Sequence, residues 1–244
     1  MYFDYPENYS IYSIWHIRQV LLVFSVLAAI FFVFRNKKKA LVPMMITVMS
    51  VCWACVIGIT IFSIITNVVN LEWTIPLHIC NLFTLVYPVM LIFKGKVRTF
   101  LMEYAFYFGF SGCVAYTLFP ATTHTYFHAL HLVPMLTMLF HLAIGSFAVF
   151  AYTSKEFVPA MRNIWKPMAI FLPLAGVSFL ANYFLQTNFS FMNPSVAPEV
   201  YQYIAFIFGP YYPYVVLGIV IVIASTLLII DKLVRRHRQN QEDC

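Results

Sequence analysis

The chain has 244 residues, 62% of them hydrophobic and 10% charged, with a formal net charge of +6 and a mean hydropathy of +0.81. A soluble domain averages about 45–50% apolar and about 25% charged residues, and a core of this size cannot hide so large an apolar surplus from water. These values exclude an ordinary soluble enzyme and a disordered chain, and five cysteines, four of them in apolar runs (Cys52, Cys55, Cys80, Cys113), exclude a disulfide scaffold.

Residues 1–14 carry Asp4 and Glu7 where a signal peptide needs Lys or Arg, so they are expected to remain as an extracytoplasmic segment. A bilayer core about 30 Å thick takes about 20 apolar residues per helix. Runs of that kind fall at 15–34, 41–66, 75–93, 99–119, 126–151, 167–185 and 203–230. The spacing predicts an all-α polytopic membrane protein with seven transmembrane helices. One transmembrane domain spans 15–230, and a basic tail follows at 231–244.

The basic residues alternate between loops. Arg35, Lys37, Lys38 and Lys39 follow the first run. Lys94, Lys96 and Arg98 follow the third, and Lys155, Arg162 and Lys166 follow the fifth. Lys232, Arg235, Arg236 and Arg238 lie in the tail, so fourteen of the fifteen Lys and Arg fall on one side. The positive-inside rule puts that side in the cytoplasm and the N-terminus outside, as in a multi-pass protein of the cell (plasma) membrane. Topology and anionic lipid account for the basic tail, so a membrane partner is expected and a nucleic-acid partner is not. Trp15, Trp73, Trp165, Tyr211, Tyr212 and Tyr214 near span ends read as an interfacial aromatic belt.

Polar groups within lipid are costly and are functional candidates by default. In this topology His16, Pro76, His78, Cys80, Asn81, His124, His128, His131 and Asn182 all fall toward the outer side, with His141 deeper. Each histidine alone reads as a satisfied structural residue. Their convergence points to an outward-facing polar cavity. Glu103, one turn in from the cytoplasmic end, is expected to snorkel to the interface.

Three kinds of chemistry fit this set. The first is a lipid-modifying membrane enzyme that carries out acyl transfer or acyl hydrolysis on phospholipid with Cys80 as the nucleophile. Residues two apart on a regular helix diverge by about 200°, so His78 does not pair with Cys80 within one helix, and the base comes from His128, His131 or His141. At about 1.5 Å per residue Cys80 lies about 8 Å below the outer edge. His141 lies about 23 Å below it if the fifth helix starts at 126. The two meet only if that helix starts later or tilts; His128 and His131 match the depth of Cys80 directly. Asn81, Asn182 and Asn188 offer amide donors to an oxyanion. The substrate would be a phospholipid or lysophospholipid, with no cofactor.

The second chemistry is a zinc-dependent membrane hydrolase with three ligands from His78, His124, His128 and His131. Of these, 124, 128 and 131 share one helix face by spacing. The third reading is a non-enzymatic transporter or membrane-complex subunit, although the sequence shows neither paired halves nor clear mid-membrane helix breaks. The C-x-x-C spacing of Cys52 and Cys55 lies mid-span, where thiols behave as small hydrophobes. Asn8 and Asn188 open N-x-S sequons on the outer side.

The run Ile75-Pro76-Leu77-His78-Ile79-Cys80-Asn81 resembles the P-L-H-x-C signature of the YwaF-like integral membrane proteins of bacteria. His16, Pro120, His141, the loop Asn188-Phe189-Ser190-Phe191-Met192 (similar to an N-Y-M segment) and Gly209-Pro210-Tyr211-Tyr212-Pro213-Tyr214 (similar to G-P-x-P-W-Y) follow in matching order over nearly the whole chain. The resemblance implies a seven-span fold. It also implies lipid chemistry, since vertebrate relatives include an acyltransferase acting on ether lysophospholipid through a cysteine and a histidine. Carried over, it makes Cys80 the acyl-accepting nucleophile and His141 the base. Among the outward-side polar residues, His16, His78, Asn81, Asn182 and Asn188 are expected to bind the substrate. The chain departs from the pattern with Asn81 in place of an acidic residue and Phe189 in place of Tyr.

Overall fold

The computed structural model describes residues 13–34, 37, 40–67, 75–120, 127, 130–155, 157–191 and 199–212, and single positions between 214 and 229. Among them every regular element is helical. In chain order they are α1 (Ile14–Val33), α2 (Leu41–Thr66), α3 (Phe83–Ile92), α4 (Lys96–Leu118), α5 (Leu132–Thr153), α6 (Trp165–Leu185) and α7 (Glu199–Phe208). Single 3-10 turns lie at Met161–Asn163, Phe189–Phe191 and Gly209–Tyr211.

Four helices, α1, α2, α5 and α6, are long and apolar enough to cross a membrane by length and composition. α1 and α6 turn large apolar side chains outward: Phe32 is 71% and Phe184 75% exposed. Such a surface suits lipid and not water. α4, with 23 residues, is equally long but carries Lys96, Arg98 and Glu103. It is enclosed by neighbours, so its surroundings are set by other helices and it does not need an apolar exterior. α5 packs against α1, α2 and α4; α4 also packs against α3 and α6, and α2 against α3. The core where they meet is aromatic, built on Phe83, Tyr87, Tyr104, Phe106, Phe147 and Phe150.

Glycines let α4 and α5 approach closely. A Cβ at Gly109 would lie 3.0 Å from the Ile144 carbonyl oxygen, and one at Gly145 would come 2.5 Å from the Cys113 Cβ and Sγ. Small residues at helix crossings are the usual means of close packing in membranes.

Helix irregularities are matched by side-chain donors, as lipid requires of backbone polar groups. Pro88 inside α3 has no N–H, which strands the Thr84 carbonyl one turn earlier. The Trp53 indole N–H on α2 donates to that oxygen at 3.1 Å. Arg98 Nε donates to the Met90 carbonyl near the end of α3 at 2.8 Å, and His16 Nε2 donates to Thr117 near the end of α4 at 2.8 Å.

Three boundaries differ from the sequence reading. The third apolar run opens as successive turns over 75–82, and its α-helix begins only at Phe83. The fifth helix starts at Leu132, six residues later than the apolar run, because His131 is its N-cap, with an extended backbone and Nδ1 accepting from Val133 N–H. The seventh run is interrupted at Gly209, whose φ of 51° is left-handed and which precedes Pro210. Glu103 also departs from expectation. It is 1% exposed, and its Oε1 accepts from Asn163 Nδ2 at 2.5 Å and Lys166 Nζ at 3.3 Å. The α5–α6 connection folds back over the end of α4, so counter-groups come to the carboxylate and it stays inside.

Candidate functional site

The site forms where the 75–82 turns meet α4 and α5. The turns are tied by Leu82 N–H to His78 O (3.2 Å) and Phe83 N–H to Cys80 O (3.1 Å). Tyr104 on α4 donates its hydroxyl to Ile79 O at 2.7 Å, and Thr84 Oγ1 donates to Asn81 O at 2.7 Å. Cys80 is thereby fixed against α4, where a Cβ at Gly112 would lie 2.9 Å from its Sγ. The thiol occupies space that any other residue at 112 would fill.

One helical turn farther along α4, Tyr116 stacks on His141 of α5, with ring centroids 4.1 Å apart and planes 8° from parallel. His141 Nδ1 lies 2.7 Å from the Thr137 carbonyl. A carbonyl only accepts, so Nδ1 carries the proton and Nε2 the lone pair. Because α5 starts at Leu132, His141 is about 14 Å into its helix, not about 23 Å. The late start narrows the depth difference from Cys80 to about 6 Å on the same reckoning. Cys80 lies against Gly112 and His141 against Tyr116, one turn apart on α4.

His78 Nδ1 accepts from the Ser190 backbone N–H at 3.1 Å, and its ring meets Phe189 at 5.6 Å. Ser190 belongs to a strap that follows α6. Asn182 clamps this strap: its Oδ1 accepts from Phe189 N–H (2.6 Å) and Thr187 Oγ1 (3.1 Å), and its Nδ2 donates to Phe189 O (3.0 Å). Ser178 and Ser190 hydroxyls both donate to Leu77 O, at 2.9 and 2.8 Å. Ser190 itself is left-handed at φ 55°. The strap thus tethers the 75–82 turns to α6.

The remaining sequence candidates fall as follows. His16 is buried, and its bond to the Thr117 carbonyl ties α1 to the end of α4. Asn81 is half-buried within the turns. Asn182 and Asn188 belong to the strap, and Asn188, 1% exposed, has no room for a glycan. His131 stacks on Phe127 at 4.3 Å and lies about 15 Å from His141 along α5. α5 begins after His131, and His124 and His128 lie outside the described residues. Among the described residues no group of three or more His, Cys, Asp or Glu is placed to hold a metal.

Several contributors escaped the sequence reading: Gly112, Tyr116, Thr137, Ser178 and Ser190. Ser178 and Asn182, four apart on an apolar helix, were a legible signal of a polar face. Gly112→Ala is expected to push the Cys80 sulfur away and to lower the melting midpoint by a few degrees, the cost of overpacking a buried contact; thermal unfolding in detergent checks this.

No curated protein and no solved structure matches this chain. The profile of the TMEM164 family matches residues 11–231, nearly the whole length. The chain therefore belongs to the TMEM164 family, a family of transmembrane proteins.

Proposed function

We propose that the protein is a seven-span enzyme of the plasma membrane, N-terminus outside, that transfers an acyl chain from a phospholipid through a thioester on Cys80. The observation that carries this reading is the placement of a thiol and a histidine lone pair on adjacent turns of one seam: Cys80 at Gly112 and His141 at Tyr116. The YwaF-like resemblance and the alternation of basic loops support it.

His141 Nε2 takes the Cys80 proton as the sulfur attacks the acyl carbonyl carbon, and the carbonyl π pair moves to oxygen. Collapse of the tetrahedral adduct breaks the ester C–O bond. The leaving lysophospholipid oxygen takes the proton back from His141. A second lysophospholipid hydroxyl, or water, then resolves the thioester by the reverse sequence.

The zinc reading is less well supported. His78 and His131 each accept a backbone N–H at Nδ1. That places their protons on Nε2, so neither ring presents a free lone pair to a metal in this arrangement.

The test uses protein reconstituted with a phospholipid bearing an isotope-labelled acyl chain and a lysophospholipid acceptor. A hydroxylamine-labile acyl group on the Cys80 peptide is expected, with transfer falling on the order of 10³-fold or more in Cys80→Ala. Transfer that survives both Cys80→Ala and Cys80→Ser overturns the proposal.

A further inference from the structure

We infer that Ser178 and Ser190 are positioning residues: their hydroxyls converge on the Leu77 carbonyl and hold the turn that carries Cys80. The inference rests on the acyl-transfer reading above and adds to it the device that aims the thiol.

Cys80 does not sit on a helix. It stands in the 75–82 turns, three residues before α3 begins. The segment's own bonds are those of short turns: Leu77 N–H to Ile75 O at 2.8 Å, Leu82 N–H to His78 O and Phe83 N–H to Cys80 O. Turns lack the repeating ladder that stiffens a helix, so contacts from outside decide where their side chains rest. On one side α4 supplies them. The Tyr104 hydroxyl donates to Ile79 O, and Gly112 leaves the space that the Cys80 sulfur fills. Held by this edge alone, the turn could pivot about it.

The opposite edge is Leu77 and His78, and it is held from α6 and the strap. A carbonyl oxygen has two lone pairs. At Leu77 O the Ser178 hydroxyl donates at 2.9 Å and the Ser190 hydroxyl at 2.8 Å. The two hydroxyl oxygens are 3.4 Å apart. Ser178 is fixed by α6, where it is fully buried. Ser190 is brought by the strap, which the Asn182 amide grips at both the N–H and the carbonyl of Phe189. The Ser190 N–H adds a third tie, to His78 Nδ1 at 3.1 Å.

Ser190 makes its contacts from a left-handed backbone, φ 55°. A glycine would take that conformation without strain, but it would bring no hydroxyl to Leu77. The strained residue is therefore the one that carries the contact, and strain of this kind persists where the surroundings over-determine the geometry.

Two donors on one oxygen make the tether redundant. With one hydroxyl gone, the other still pairs the carbonyl. With both gone, an oxygen in an apolar layer loses the two donors that α6 and the strap supply, and the turn is released at this edge. A displacement of about 1 Å at the reacting sulfur costs on the order of 10²-fold in rate. The two serines are therefore expected to act non-additively.

The test compares wild type, Ser178→Ala, Ser190→Gly and the double variant, reconstituted with fluorescent-acyl phosphatidylcholine and lysophosphatidylcholine, with rates normalised to folded protein. Hydrogen exchange over residues 75–83 is measured on the same samples. Each single variant is expected to lower kcat about threefold and to speed exchange at 75–83 by a similar factor. The double variant is expected to lower kcat about 10²-fold, with KM within about twofold of wild type. Exchange in α4 and α5 should stay as in wild type, which a general loss of structure would not allow.

Wild-type kcat in the double variant overturns the inference. So does a double loss that is only the product of the two single losses, or a loss of kcat without faster exchange at 75–83. If Cys80→Ala retains transfer, the acyl-transfer reading falls and takes this inference with it. If Cys80→Ala is inactive and the double variant is not impaired, only this inference falls. Should the double variant not fold, the single variants decide: faster exchange at 75–83 with lower kcat in both supports the inference, and unchanged exchange in either overturns it.

Discussion

Changing His141 to alanine is expected to lower acyl transfer on the order of 10³-fold, within the range for loss of a positioned general base. The ring is held at two places: by its own Nδ1–H bond to the Thr137 carbonyl and by the face of Tyr116. Thr137 acts here through its backbone, so Thr137→Ala keeps that bond. Tyr116→Leu removes the stacking partner and is expected to cost about tenfold, since it loosens the ring without removing the base. His131→Ala is the informative contrast. It deletes an N-cap, with an expected cost of about 1 kcal/mol of stability. Initial rates of fluorescent-acyl transfer, normalised to folded protein, check the series. Loss of transfer in His131→Ala rather than His141→Ala would show that the base has been misassigned.

The second large effect is on stability. Lys166→Ala is expected to destabilise the fold by about 3–5 kcal/mol, the range for removing one partner of a buried ion pair. Glu103 is 1% exposed and shares its Oε1 between Asn163 and Lys166, while its Oε2 has no hydrogen-bond partner among the described residues. Without Lys166 a carboxylate remains buried with a single amide donor. The melting midpoint in detergent is expected to fall by about 10 °C. Glu103→Gln in the same background removes the uncompensated charge and is expected to restore part of the loss. An unchanged midpoint in Lys166→Ala would mean that the pair carries no net weight.

The legibility of the sequence followed the solvent each segment meets. α1, α2 and α6 turn side chains toward lipid, so their apolarity marks them and their limits fall within a few residues of the predicted runs. α3 and the start of α5 were misjudged because an apolar run reports burial, not backbone conformation. Nothing in hydropathy separates the turns at 75–82 from a helix, and nothing in it shows His131 capping one. The site was half legible for the same reason. Cys80 and His141 stand out as polar atoms in apolar runs, whereas Gly112 matters through an atom it lacks, and Ser190 through its backbone N–H. Glu103 was misplaced because its partners, Asn163 and Lys166, lie sixty residues away and come to it only in the fold.

The bond from Trp53 to Thr84 has a mechanical consequence. A proline would ordinarily make α3 a hinge, since the carbonyl one turn back is freed to swing. Here that carbonyl is grasped by an indole from the neighbouring helix. Rotation at Pro88 would have to break a hydrogen bond that no solvent in an apolar layer replaces. The sequence feature that looks most like a joint is thereby braced from α2.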